Sequence, residues 1–188
     1  MRHSRPSIVV PPIRLLLADP PWKFGDNLPG DSRGAAKNYD VLDLAAIKAF
    51  ALPPLADDAL LLLWRVSSMV EEAYEVARTW GFEPKSEIVW NKKTSGGLPW
   101  FGMGHYVRAS HETCIVARRG KFKVDSRSIR STFESGASKT KHSAKPDCFY
   151  EIAEALCKDG PYAELFARAP RAGWHQWGHG LLGGYDAP

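Results

Sequence analysis

Four residues that close a hydrophobic run, Asp19-Pro20-Pro21-Trp22, combine a carboxylate, two rigid rings and an indole. A residue before proline is driven out of the helical region, so Asp19 is extended, with its side chain at the exit of the run. Neither proline carries an N–H. The stretch is therefore rich in acceptors: the Asp19 carboxylate and the carbonyls of Asp19 and Pro20, on a backbone with little freedom. Its natural guest is an amino group with two N–H donors. Trp22 offers a flat face, and stacking a planar ring on it is worth about 1–3 kcal/mol. An exocyclic amine on an aromatic heterocycle, adenine or cytosine, satisfies both features. The same residues also read as a strand followed by a Pro-Pro turn, with Trp22 tucked against the core.

Other reactive groups are sparse. Cys114, Cys148 and Cys157 form no CxxC pair, which argues against a disulfide framework or a zinc site. His175 and His179 stand four apart, as two ligands on a helix would. Gly178 lies between them and no third ligand is near, so no metal is expected. The formal net charge is +4, and its distribution is uneven: from Gly120 to Lys145, seven Lys or Arg face only Asp125 and Glu134. Such a segment suits a phosphate backbone, and equally a solvated loop. Seven tryptophans, several beside glycine or proline, add stacking surfaces of the kind nucleic acids use, although ordinary packing accounts for most of them.

The elements that must position these residues follow from the apolar pattern. Residues 13–18 read as a buried strand, too short for a helix before the prolines. A short helix is expected from Asp43 to Phe50, and "ALLLLW" (59–64) is the second strand. Ser67 could cap the next helix, with Glu71 and Glu72 in its early turns and Gly81 at its end. "KSEIVWNK" (85–92) and "ETCIVARRG" (112–120) read as strands, joined by a glycine-rich loop, and the basic segment after them reads as loop. Lys145-Pro146-Asp147 opens a helix with Phe149, Ile152, Ala153 and Leu156 on one face. "YAELFARA" (162–169) is the last clear strand. Near-continuous apolar strands alternating with helices predict an α/β fold, with a mostly parallel central sheet and helices on both faces, as one domain over 1–188. Ligands in such sheets gather at the carboxyl ends of the strands, where Asp19, Trp64, Asn91 and Arg168 fall. No membrane span and no signal peptide are read, so the cytoplasm is the expected compartment.

In order, "ADPPW" and a loop, "WNK", "R..HETCIVARRG", "KPDCFYEIAE" and "ELFARAPRAGWHQWG" run from about Leu15 to Gly178. This set resembles the MT-A-seventy-type family, S-adenosylmethionine-dependent adenine-N6 methyltransferases of DNA or RNA. The resemblance implies a Rossmann-like methyltransferase domain with permuted motif order, the catalytic segment early and the cofactor segments late. It implies that Asp19 and the Pro20 carbonyl accept from the N6 amino group, that Pro21 fixes the turn and that Trp22 stacks on the base. Tyr39 matches a position facing the acceptor nucleotide, and Asn91, Lys92 and Glu112 border that side; a turn tyrosine, a strand-end cap and a surface ion pair are their plain alternatives. On the cofactor side the resemblance implies Asp19 together with Lys145, which matches the lysine that meets the cofactor's methionine carboxylate, and Glu164 and Arg168, which match the pair at its ribose. His179 stands where the family often has an asparagine on the cofactor's adenine, and Ser7 to Val9 would replace an upstream acidic residue through backbone groups.

Three rivals remain: a catalytically silent nucleic-acid-binding scaffold, a cytosine amino methyltransferase (those usually begin the motif with serine) and an α/β interaction domain with a fortuitous DPPW. The compact build resembles bacterial and prophage members, which favours DNA over RNA as partner. A homodimer is compatible with the sequence, which does not determine the oligomeric state.

Overall fold

The computed structural model describes residues 10–23, 41–104, 106–136 and 145–178. Along the described chain come β1 (Ile13–Ala18), α1 (Leu44–Lys48), β2 (Leu55–Arg65), α2 (Val70–Thr79), β3 (Glu83–Lys93), β4 (His111–Arg119), β5 (Thr132–Gly136), α3 (Asp147–Leu156), β6 (Tyr162–Leu165) and β7 (Trp174–Trp177). The strands form one sheet in the order β5-β3-β4-β2-β1-β6-β7. β1 runs parallel to β2 and β6, β6 to β7, and β3 to β5. β4 alone is reversed, antiparallel to both β2 and β3. This is the expected α/β fold with a mostly parallel sheet.

The apolar strands read as they do because both faces of the sheet are covered. In β2, Ala59, Leu61 and Leu63 join the core under α1 and α2, which add Ile47, Ala73, Val76, Ala77 and Trp80. Leu60, Leu62 and Trp64 point the other way, to meet Phe149, Ala153 and Leu156 of α3. The period of two sends alternate residues to opposite cores, so one apolar run serves two layers. Each fully buried leucine contributes about 1.5–3 kcal/mol.

Caps settle the helix ends. Asp43 precedes α1 and accepts from the Ala46 N–H at 2.8 Å. At the end of α2, Gly81 takes φ +84°, and the Phe82 N–H returns to the Ala77 carbonyl at 2.9 Å, the left-handed closure the sequence anticipates. Ser67 does not cap α2: Met69 holds the N-cap position without a side-chain bond, and the acidic residues Glu71 and Glu72 meet the positive helix end instead.

Three other expectations change. The basic segment is not loop throughout, since residues 132–136 pair with β3 as the edge strand β5. The strand begun at Tyr162 stops at Leu165, because Phe166 takes φ 62°, and its ring packs 4.7 Å from Phe50. Left-handed backbone is rare for a bulky residue and reverses the chain here. The Ala167 N–H then bonds the Trp177 carbonyl at 2.9 Å, in a further strand, β7, that short polar-aromatic alternation had concealed.

Candidate active site

β1 ends in the DPPW turn, whose local bonds are now visible. The Trp22 N–H closes back on the Pro20 carbonyl at 2.8 Å, and the Pro21 carbonyl accepts from the Leu42 N–H at 2.9 Å. The Pro20 oxygen keeps one lone pair free of the turn. Trp22 is 4% exposed, and its indole N–H donates to the Trp64 carbonyl at 3.0 Å. The ring expected as an open stacking face is packed between the turn and the core, and borders the crevice as part of its wall.

Asp19 lies on a line of alternating charges that crosses the sheet, with Lys145 at its middle. Lys92 of β3 pairs with Glu112 of β4. Lys145 Nζ lies 3.1 Å from Glu112 Oε2 and 2.7 Å from Asp19 Oδ2, above the Trp64 ring of β2 at 5.0 Å. Arg168, beyond β6, completes the line with Nη2 3.5 Å from Asp19 Oδ2. Reversal of β4 is what makes this possible, because its first residues lie at the edge where the parallel strands end. Asp19, Pro20, Trp22, Trp64, Glu112, Lys145 and Arg168 line a cavity of about 100 Å³ here.

The line is electrostatically self-supporting. Burial opposes the Lys145 charge, but Asp19 and Glu112 outweigh it and hold the ammonium above its usual range. Burial likewise opposes the Glu112 carboxylate, and Lys145 and Lys92 bring it below the usual range. Removing either carboxylate would leave a buried cation short of a partner.

A second cluster flanks the first. Glu164 of β6 is 6% exposed and accepts from the Tyr150 hydroxyl at 2.9 Å and from Gln176 Nε2 at 2.5 Å. Burial raises its pKa to about 7, although the Gln176 and Tyr150 bonds pull the other way. The Arg171 guanidinium covers the Tyr150 ring at 3.7 Å and bonds Asp147 at 2.6 Å, which holds that ring in place.

Of the residues singled out in the sequence, Asp19, Pro20, Trp22, Lys92, Glu112, Lys145 and Arg168 come together along one edge, and Glu164 stands beside them. Asn91 lies on β3 next to Lys92, so strand alternation turns it to the other face. Tyr39, His179 and residues 7–9 lie outside the described residues. Trp64 lines the crevice at the strand end where the sequence placed it. Tyr150 and Gln176 stand at the site and were not anticipated in it; their signals were weak, a tyrosine next to a helix's apolar face and a glutamine in a short alternating segment.

An edge crevice with an acid-proline-proline-aromatic turn at its centre, on a mostly parallel sheet, defines the class as an α/β domain of the ligand-at-strand-ends type. The sequence profile described as MT-A70 matches residues 13–180, and the chain belongs to that family. It is similar to the type II methyltransferase M.MunI of Mycoplasma sp, 26% identical over 88% of this chain and 76% of the relative. It is also similar to the N6-methyladenosine RNA methyltransferase MTA1 of Cryphonectria parasitica, 31% identical over 92% of this chain and 52% of the relative. To the N(6)-adenosine-methyltransferase catalytic subunit METTL3 of Homo sapiens it is 27% identical, over 82% of this chain but 25% of that protein's length. No helix among the described residues is long and apolar enough to cross a membrane.

Proposed function

We propose that the protein transfers the methyl group of S-adenosylmethionine to the N6 amino group of adenine in nucleic acid, with DNA the favoured substrate, as a single cytoplasmic domain with the catalytic segment early and the cofactor segments late. The observation that carries this reading is the state of the Asp19 carboxylate. Both of its cations, Lys145 and Arg168, bind Oδ2. Asp19 and Pro20 line the same crevice, so a carboxylate and a carbonyl are at hand there for one amino group.

The residues present fit the cofactor. Lys145 supplies a cation for its carboxylate. Glu164, set between Tyr150 and Gln176, supplies the acceptor a ribose diol requires. The Trp64 indole N–H is buried without an acceptor among the described residues, a donor left for a ligand at this cavity. When bound, the cofactor supplies an electrophilic methyl group. The chain's own part is to hold both N–H groups on Asp19 and Pro20, which withdraws the nitrogen lone pair from ring conjugation. Asp19 then faces the positive charge that the nitrogen gains and is the base at hand for the proton it must lose. Holding two reactants in register supplies much of the remaining acceleration. Trp22 and Pro21 keep the turn rigid.

Asp19 at the head of the motif favours adenine over cytosine. Similarity to the Mycoplasma type II methyltransferase over most of both lengths supports DNA. The same chemistry on RNA is the second reading, favoured by the 31% identity to a relative named for RNA methylation. Labelled S-adenosylmethionine offered with single-stranded DNA, duplex DNA and RNA separates the two. We expect N6-methyladenine on DNA, lost in Asp19→Ala; a strong preference for RNA overturns the DNA assignment, and no transfer to any substrate overturns the activity.

A further inference from the structure

We propose that the described residues of the β3–β4 loop, 94–104 and 106–110, form a stacking platform for the nucleic-acid strand beside the target base, with Phe101 and Tyr106 as its ring faces and Arg108 as its cation. The proposal rests on the reading of the adjoining edge as the site of the target adenine.

Seven large apolar side chains are exposed among the described residues, and all but Val70 lie in this loop: Leu98, Trp100, Phe101, Met103, Tyr106 and Val107. Phe101 is 76% exposed, and Tyr106 is fully so. Trp100 is the most exposed of the chain's seven tryptophans. Single exposed apolar residues are ordinary; six in one loop mark a contact surface.

The loop is built to hold these groups outward. The Trp100 N–H bonds the Lys92 carbonyl at 2.9 Å, the Thr94 N–H the Leu98 carbonyl at 2.8 Å and the Gly102 N–H the Ala109 carbonyl at 2.9 Å. A Cβ on Gly102 would fall 2.5 Å from the Ala109 oxygen, and one on Gly104 2.0 Å from the Val107 oxygen. The two arms touch backbone to backbone, so side chains leave the loop toward solvent. Arg108 places its guanidinium 5.4 Å from the Phe101 ring centroid and bonds the Gly104 carbonyl at 3.3 Å.

Charge and position identify the occupant. From Lys92 to His111 there are three Lys or Arg and no acidic residue; Lys92 and Lys93 pair with Glu112 and Glu134 outside the loop, which leaves Arg108, beside Phe101, as the loop's own cation. Exposed rings with a guanidinium among them suit a chain of flat rings joined by phosphates. Two copies meeting at this loop would set like charges against each other. The loop's base is also the end of the charge line: Lys92 receives the Trp100 bond and pairs with Glu112, which meets Lys145 and then Asp19. A strand delivering one base to Asp19 passes over this loop.

The test is equilibrium binding of a single-stranded oligodeoxynucleotide with 2-aminopurine next to one adenine, alongside S-adenosylmethionine binding and light scattering. Phe101→Ala/Tyr106→Ala should raise the oligonucleotide Kd about tenfold or more and abolish quenching of the 2-aminopurine, with the cofactor Kd unchanged. Phe101→Tyr/Tyr106→Phe, which keeps both rings, should restore binding to about the parent value. Unchanged affinity and quenching in the alanine variant overturn the proposal, as does a parent dimer that the alanine variant dissociates without loss of oligonucleotide affinity. A parent protein that transfers no methyl group, yet binds through the rings, sinks the activity and keeps the platform. Methyl transfer with the rings dispensable does the reverse, and a parent that binds no oligonucleotide sinks both.

Discussion

Asp19 holds two cations on Oδ2 and lines the crevice beside Pro20, and this double engagement gives the sharpest test of the site. Asp19→Asn keeps the shape, loses the negative charge and presents an N–H₂ where an acceptor is required. Its kcat should fall by about 10²–10³, as when one transition-state partner is removed, with a much smaller change in cofactor affinity; a kcat within about threefold of the parent would remove Asp19 from the chemistry. Trp22→Phe tests the wall of the crevice. It removes the donor to the Trp64 carbonyl, and leaving that buried oxygen unpaired should cost about 1–3 kcal/mol in urea unfolding. Glu164 governs a pH effect. Its folded pKa, about 7, lies above the unfolded value of 4.5. The folded state therefore holds a proton that the unfolded chain has released, and the stability this confers is complete below pH 4.5 and lost as pH rises through 7. Urea titrations of parent and Glu164→Gln at pH 5 and pH 8 should show their stability difference change by on the order of 3 kcal/mol in the variant's favour. Cofactor affinity of the parent should rise over the same interval, because only the ionised carboxylate accepts two hydroxyl bonds.

At the scale of elements, the site depends on how β6 and β7 end. The left-handed Phe166 and the bond from Ala167 to Trp177 bring Arg168 back toward Asp19. Gly178 makes this approach feasible, since a Cβ there would lie 2.0 Å from the Ala167 oxygen. Gly178→Ala should therefore destabilise the fold by about 2 kcal/mol or more and raise the KM for the cofactor beyond the kcat effect, because the chain carrying Arg168 must move. A thermal unfolding curve and a cofactor titration that match the parent would show that the contact relaxes without consequence. The reversed strand β4 matters as much: it delivers Glu112 from its first turn of chain to the edge that the other strands reach at their ends.

For the molecule as a whole, the basic segment after β4 is divided by side. Phe122 is buried, and Val124 and Ile129 pack against the α3-side core, while Lys121, Lys123, Arg127 and Arg130 are exposed. Asp125, the one acidic residue among them, accepts from the Lys158 N–H at 2.8 Å. The segment therefore shows solvent an almost purely cationic face. If three of these charges meet phosphates, affinity for duplex should fall roughly 40-fold between 50 and 200 mM salt. A salt titration by fluorescence anisotropy measures the slope, and a flat response would remove this face from substrate binding.

The period of the apolar residues and the punctuation by proline and glycine determined much by themselves: strand β1, the core of β2, helix α3, the glycine end of α2 and the place of Asp19 at a strand exit. These features are local, set by backbone dihedrals and by which residues prefer water. The DPPW turn and the ordered segments after it also made most of the charge line nameable residue by residue. What the sequence left open depends on contacts between residues distant along the chain. Whether β4 runs up or down decides if Glu112 reaches Lys145, yet both directions bury the same leucines and leave the same pattern. Trp22 could stack on a guest or fill the core, and only the Trp64 carbonyl 42 positions away decided for the wall. Tyr150, Glu164 and Gln176 come from three elements, and nothing in their spacing announces a shared hydrogen-bond network. Burial makes that network consequential, because an unpaired carboxylate is costly only where water is excluded, and exclusion of water is a property of the assembled fold.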